Sequence, residues 1–253
     1  MAGLSAEQVE RFRRDGYLVV DGLFDTESLE PVRRRIRELA APDAPEMVKA
    51  KRQVEPRVEA GEMRADGYAG SLRKMSHMAF EDPVFLAHAS DARIVDVIES
   101  LLGPDLVLAQ DQLFMKPPRV GSRQKFHQDT PLGFHLDPPD RMVTCWCALD
   151  EATIANGCLW MIPGSHLDGV TDQETWRRYE PVDGVEPPEA RPVELAAGSC
   201  SFHHGLILHA SRPNLTDRPR WGYATHYASA RCRFEGEAGD HVTIRGQRFP
   251  GCV

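Results

Sequence analysis

The sequence predicts a mainly β fold, a sandwich or barrel, supported by helices from the N-terminal part. Three observations predict it. Up to Gly103, apolar residues recur at helical spacing between recognisable caps. Beyond Gly103 the segments become short and β-rich, and Pro117-Pro118, Pro138-Pro139 and Pro187-Pro188 punctuate them without intervening helices. With 253 residues, 42% hydrophobic and 27% charged, the chain has ordinary globular composition and can bury a sizeable core. Residues 1–253 are expected to form a single domain, with 1–104 mostly helical and 105–253 building the β core.

Ser5 followed by Gln8 has capping-box form, and Val9 and Phe12 continue at helical spacing until Asp15-Gly16. Tyr17–Val20 reads as a short strand closed by Asp21-Gly22. Asp25 or Thr26 can cap the next helix, with Pro31 early in it and Leu29, Val32, Ile36 and Leu39 on one face. Residues 41–70 are polar and punctuated by Gly and Pro, so a long loop or partly helical excursion is expected. Asp91 can cap a helix carrying Ile94, Ile98, Leu101 and Leu102, with Gly103 just past its end. The expected strands are Leu106–Met115, Arg141–Leu149, Cys158–Ile162, Val193–Leu195, Ser199–His204, Leu206–His209, Arg220–Ala228 and His241–Ile244. Leu167–Pro192 is the least regular stretch and is expected to be a lid or insertion.

Charge and apolar runs exclude several classes. Asp and Glu number 38 against 30 Lys and Arg, a net charge of −8, which disfavours nucleic acid and anionic membrane as partners. No apolar run approaches the roughly 20 residues of a membrane helix. The N-terminal residues have neither the basic region nor the apolar core of a signal peptide. The six cysteines form no CxxC pair, so reduced thiols in a cytoplasmic protein are expected, without a disulfide framework or zinc site.

The chemistry concentrates in Phe126-His127-Gln128-Asp129. On a strand, residues two apart share a face, so His127 and Asp129 can address one ion. His209, at the end of an apolar run, is the candidate third ligand. Two imidazoles and one carboxylate form the facial triad of non-haem Fe(II) oxygenases, which leaves positions open for O2 and a bidentate cosubstrate. A lone His-x-Asp is commonly a surface or buried hydrogen-bonded pair, and the rest of the chain supplies the context. Arg220 follows His209 after a turn-like segment, so it is expected on the neighbouring strand, facing the same cavity. Its planar guanidinium can clamp the distal carboxylate of 2-oxoglutarate, and Ser211 can add a hydroxyl donor. Arg212 and Arg218 read as solvated charges.

His127-Gln128-Asp129, Asn156-Gly157 through Pro163-Gly164-Ser165-His166, His209-Ala210-Ser211, Arg220 and the opening Phe12–Val20 together resemble the phytanoyl-CoA dioxygenase family over nearly the whole chain. The resemblance implies a double-stranded β-helix (jelly-roll) core, with Fe(II), 2-oxoglutarate and O2 required and succinate and CO2 released. It implies His127, Asp129 and His209 as iron ligands, and Arg220 and Ser211 as holders of the 2-oxoglutarate tail. Gln112 and Trp146 match positions lining the cosubstrate, and Lys74 matches a basic contact to it. His166 reads as a turn hydrogen-bonder. His203 and His204 compete for a site role, but alternation turns one of them away and Gly205 interrupts the strand that would align His203 with His209, so the family spacing of Ser211 and Arg220 after His209 assigns the metal to His209.

The expected reaction is hydroxylation of an unactivated C–H bond in a small-molecule substrate. Desaturation or cyclisation in natural-product metabolism is the alternative within the same cofactor class. Asp129 disfavours halogenation, since related halogenases carry a small residue there. A metal-dependent cupin-type enzyme without cosubstrate, or a non-catalytic metal-binding jelly roll, would not need Arg220 and Ser211. Phe134, His135 and Trp160 are candidate substrate contacts. Scattered Lys and Arg favour a small molecule over an acyl-CoA, and the oligomeric state has no sequence signature.

Overall fold

Capping decides where the first helix begins. A computed structural model describes residues 3–44, 51–234 and 241–252. In α1 (Ala6–Asp15) the backbone of Gln8 donates to Ser5 Oγ at 3.2 Å, and Ser5 donates back to Gln8 Oε1 at 2.9 Å. Gly16, at φ 80°, ends the helix in a left-handed conformation suited to glycine. β1 (Tyr17–Val20) follows, then α2 (Thr26–Leu39), whose cap is Asp25 and whose buried stripe is Leu29, Val32, Ile36 and Leu39. Pro31 lies inside α2 and not at its first turn.

Within the expected 41–70 loop, residues 45–50 lie outside the described residues, as do Met1 and Ala2 of the N-terminal stretch. The remainder contains β2 (Lys51–Val54) and the single turn α3 (Pro56–Glu59). β3 (Leu72–Ser76), α4 (Pro83–Ala89) and α5 (Ala92–Leu102) complete this part. Neither β2 nor β3 was expected. β2 is a largely polar, half-exposed edge strand, so it carries no apolar alternation to read.

The remaining strands are β4 (Leu106–Lys116), β5 (Gln124–His127), β6 (Leu136–Asp137), β7 (Met142–Ala148) and β8 (Leu159–Met161). After α6 (Gln173–Arg177) come β9 (Arg191–Val193), β10 (Cys200–His204), β11 (His209–Ser211), β12 (Arg220–Ser229), β13 (Arg233–Phe234) and β14 (Val242–Arg245). An eight-stranded antiparallel sheet runs β1-β10-β7-β12-β4-β3-β2, with β14 also on β4. A four-stranded sheet runs β5-β11-β8-β9. This is the mainly β jelly roll with supporting helices.

Two strand expectations need correction. Leu206–His209 is not a strand, because Ile207 donates to the His204 carbonyl at 3.0 Å in a turn, and β11 begins at His209. Nor is Arg220 on the neighbouring strand. β11 lies in the small sheet and β12 in the large one, so His209 and Arg220 approach from facing sheets.

The large sheet is two-faced. Val143, Cys145, Cys147, Phe202, Tyr223 and Tyr227 pack with the helices in the main core, and the alternate residues Thr144, Trp146, His203, Ala224 and His226 line a cavity on the other face. A register shift opposite His226-Tyr227 changes the phase of β4. Leu106 and Leu108 therefore join the core, and so do Leu113 and Met115, while Gln110, Gln112, Phe114 and Lys116 line the cavity.

The same phase change buries Asp111 completely on the core side. It accepts from the backbones of Met78 and Ala79 at 3.1 Å each and from Tyr223 Oη at 3.0 Å. Burial outweighs these bonds and pushes its carboxyl up to about 6. Because the unfolded carboxyl ionises first, this group's contribution is full below about 3.8 and is lost as pH rises through about 6. The expected result is that Asp111→Asn removes a downward slope of stability over that window, seen as a converging difference between variant and wild-type urea midpoints. Parallel profiles for the two proteins would contradict it.

Candidate metal centre

β5 ends on His127, and the turn after it presents Asp129 with helical backbone angles, φ −65° and ψ −48°. The pair therefore converges through a turn and not through strand alternation. Gln128 between them is fully buried and fixes that turn. Its Nε2 donates to the carbonyls of Gly169 at 2.8 Å and Leu206 at 2.7 Å, and its Oε1 accepts from the Thr171 backbone at 2.9 Å. β11 pairs with β5 so that His209 stands directly opposite His127, ring centroids 4.2 Å apart.

Among the described residues, His127, Asp129 and His209 form the one His/Cys/Asp/Glu group able to hold a metal ion, with ligand atoms all within 4.8 Å of one another. Both Nε2 atoms lie 3.6 Å from Asp129 Oδ1. His127 Nδ1 is 2.8 Å from the Lys125 carbonyl, and His209 Nδ1 is 3.1 Å from that of Ile207. A carbonyl oxygen can only accept, so each Nδ1 carries a proton and each ring turns its Nε2 toward the carboxylate, where it can ligate an ion. Burial pushes the His209 imidazole down to about 3, reinforced by His127. Burial disfavours the charged form of Asp129, but the surrounding histidines outweigh it and hold the carboxyl well below its usual range. The donor set is two imidazoles and a carboxylate, which suits Fe(II).

Two further histidines enter the site. His203 Nε2 lies 3.5 Å from Asp129 Oδ2, its ring 4.9 Å from that of His209. Gly205 does end the strand, yet the facing sheets bring the two rings together. His204 points away, its ring 5.0 Å from His166, which bonds the Arg13 carbonyl at 3.0 Å. His226 was not anticipated. Thr144 Oγ1 is 3.0 Å from Asp129 Oδ2 and 2.8 Å from His226 Nδ1. With one hydroxyl proton, Thr144 donates to the carboxylate and accepts from His226 Nδ1. The readable signal was period two along β12, which puts His226 in phase with Arg220.

The cavity around this cluster measures about 460 Å³. Arg220 is 1% exposed, with Nη2 donating to the Gly157 carbonyl at 2.9 Å and its guanidinium 5.1 Å from the Trp146 ring. Its Nε and Nη1 have no partner among the described residues. Burial pushes it down to about 10, so it remains a cation at neutral pH. Gly222 permits this packing, since a Cβ there would lie 1.9 Å from Trp146 Cζ2. Ser211, Gln112 and Lys74 line the same cavity, with Gln112 Nε2 donating to Gln110 Oε1 at 2.6 Å and Lys74 Nζ 5.8 Å from the Phe114 ring. An orphaned buried guanidinium in the cavity of a cluster able to hold a metal ion fits a dicarboxylate whose other end would chelate such an ion.

Phe134 lines the cavity, but His135 is exposed and Trp160 packs beside Phe126, so neither belongs to the lining. Arg212 is not a solvated charge. It pairs with Glu186 and lies 5.7 Å over the Phe126 ring, in contact with the Leu167–Pro192 segment.

A sequence profile described as Phytanoyl-CoA dioxygenase (PhyH) matches residues 12–222. "Phytanoyl-CoA dioxygenase domain-containing protein 1" from Bos taurus is 27% identical over 271 residues, covering 91% of this chain and 92% of that protein. The crystal structure of EctD from S. alaskensis with bound Fe is similar at TM-score 0.77 and 25% identity, covering 98% of this chain and 89% of that one. The non-heme monooxygenase ThoJ in its apo form is similar at TM-score 0.75 and 28% identity, covering 97% and 86%. The profile spans most of the sequence, from α1 to the start of β12, and the chain belongs to the phytanoyl-CoA dioxygenase family.

Proposed function

We propose that the protein is an Fe(II)- and 2-oxoglutarate-dependent oxygenase that hydroxylates an unactivated C–H bond of a small molecule. The observation that carries this reading is Arg220, a buried guanidinium with two unpaired nitrogens in the cavity of the His127–Asp129–His209 cluster. In this reading the three ligands hold Fe(II), with each ring fixed by its Nδ1 bond. Arg220 and Ser211 take the distal carboxylate of 2-oxoglutarate, Trp146 flanks it, and Gln112 and Lys74 bound the cosubstrate space. Bound there, the iron with O2 and 2-oxoglutarate supplies the oxidising power, and succinate and CO2 leave. The chain's part is to aim one C–H bond and to limit water. Asp129 fills the position a halide would need, which favours hydroxylation over halogenation.

Residues 1–253 act as one unit in this reading, since β1, β2 and β3 hydrogen-bond into the large sheet. The described cysteines are all free, which goes with a reducing, cytoplasmic setting. Among the described residues, no helix is long and apolar enough to cross a membrane.

Succinate release tests the reading. Purified protein with Fe(II), 2-oxoglutarate and O2 should form succinate, and a chelator should stop it. Metal-dependent turnover without 2-oxoglutarate would favour a cupin-type enzyme. Metal binding with no turnover of 2-oxoglutarate, with or without candidate substrates, would favour a non-catalytic jelly roll.

A further inference from the structure

The cavity is more cationic than its cofactors require. Four cationic side chains line it, Arg73, Lys74, Lys116 and Arg220, against two carboxylates, Glu55 and Asp129. Fe(II) and the 2-oxoglutarate dianion carry equal and opposite charges, so loading both leaves this excess unchanged. Counting any imidazole as protonated would only increase it. Uncompensated charge in a partly enclosed cavity is costly and calls for a counter-anion.

The excess can be located. Arg220 faces the cosubstrate tail, as argued above. Lys116 Nζ donates to the Ser122 carbonyl at 2.5 Å and is attracted by Glu55, while burial and then Arg220 push its ammonium well below the usual range. Lys116 is therefore the cation the count can spare, and cations still outnumber carboxylates without it. Arg73 and Lys74 remain. Arg73 Nη2 donates to a neutral acceptor, Gln124 Oε1, at 2.7 Å. Neither Arg73 nor Lys74 has a carboxylate within ion-pair distance among the described residues. Lys74 is instead lowered by burial and by Arg73, with partial relief from Asp129. These neighbours on β3 are thus two half-buried, unmatched cations on one cavity wall. The count holds whichever carboxylate Lys74 touches, because both 2-oxoglutarate charges are already included.

We infer that the substrate is a small molecule bearing an oxyanion, a carboxylate or phosphate, held by Arg73 beside Lys74 at the border of the cosubstrate space while its C–H bond faces the His127–Asp129–His209 cluster. This rests on the oxygenase reading above. The volume agrees: about 460 Å³ is near the lower end of the roughly 300–1,000 Å³ usual for ligand sites, and it must also hold the cosubstrate.

The test uses the anaerobic protein with Fe(II) and saturating 2-oxoglutarate, and three probes: hexanoate, hexanamide and hexyl phosphate. Relaxation of probe protons by the paramagnetic iron gives an apparent Kd for each. At least one oxyanion should bind about tenfold or more tightly than the amide, the span expected of a charge-assisted contact. Whichever oxyanion binds better identifies the group. Arg73→Ala should close most of that gap and Arg73→Lys should keep most of it. Equal affinity for acid, phosphate and amide, no binding of any probe, or a gap unchanged in Arg73→Ala would each overturn the inference. The visible charge-transfer band of an Fe(II)–2-oxo acid chelate separates the two claims. If the band forms but no anion preference is seen, the substrate inference fails alone; if wild-type protein forms no band, the oxygenase reading itself fails.

Discussion

His209→Ala is expected to lose iron and turnover together, whereas His203→Ala should keep the iron. Both imidazoles are buried beside Asp129, so proximity alone does not separate them. Ring orientation does. His209 Nδ1 is committed to the Ile207 carbonyl, which turns Nε2 toward the same Asp129 oxygen that His127 faces. His203 approaches the other carboxylate oxygen, and neither of its nitrogens is fixed by a protein partner among the described residues. Removing an outer-shell partner of a metal costs roughly 10–100-fold in affinity. Removing a ligand should cost more, so Fe(II) affinity should fall by at least about a hundredfold in His209→Ala, with succinate formation at background. In His203→Ala the loss should stay within about a hundredfold. Anaerobic Fe(II) titration of the two variants decides it. If His203→Ala loses the metal while His209→Ala keeps it, the ligand assignment is wrong.

Much of this site was legible because its parts lie at strand ends with distinctive neighbours. His127, Asp129, His209 and Arg220 could be named from residue pattern together with the family resemblance, and the structure brings all four to one cavity. The manner of their meeting was not legible. Alternation suggested that His127 and Asp129 share a strand face, yet a turn fixed by buried Gln128 does that work. The ten residues between His209 and Arg220 looked like a hairpin, yet they cross between sheets, a long-range choice with no local signature. His226 belongs to no motif, and in a strand buried along nearly its whole length an inward His looks like any other core residue. The helices were easier, since Ser5, Asp25 and Asp91 announce them through local hydrogen bonds. β3 was harder, since Leu72-Arg73-Lys74-Met75 shows no period of two and owes its pairing to β4. That strand carries both unmatched cations, so the part of the cavity that selects substrate was the part sequence periodicity concealed.

Arg220→Ala is expected to move cosubstrate affinity and protein stability in opposite directions. The guanidinium is buried with Nε and Nη1 unpaired among the described residues, and Gly157 and Trp146 are its neighbours. Without 2-oxoglutarate it is a desolvated charge, and its downward shift to about 10 records that burial cost. With 2-oxoglutarate bound, the same group gains a charge-assisted, two-pronged partner. Losing that contact should cost about 1.5–3 kcal/mol, which is roughly a ten- to hundredfold higher 2-oxoglutarate requirement. The cosubstrate-free variant should unfold at the same or a higher temperature than wild type, because replacing a buried, poorly paired charge is often neutral or stabilising. Wild type should gain more from added 2-oxoglutarate, since a ligand stabilises the fold in proportion to its occupancy. Thermal scans of both proteins across a 2-oxoglutarate series, with Fe(II) constant, read both effects in one experiment. A variant destabilised without cosubstrate but equally responsive to it would make Arg220 a structural residue, and the carboxylate would have to be held elsewhere.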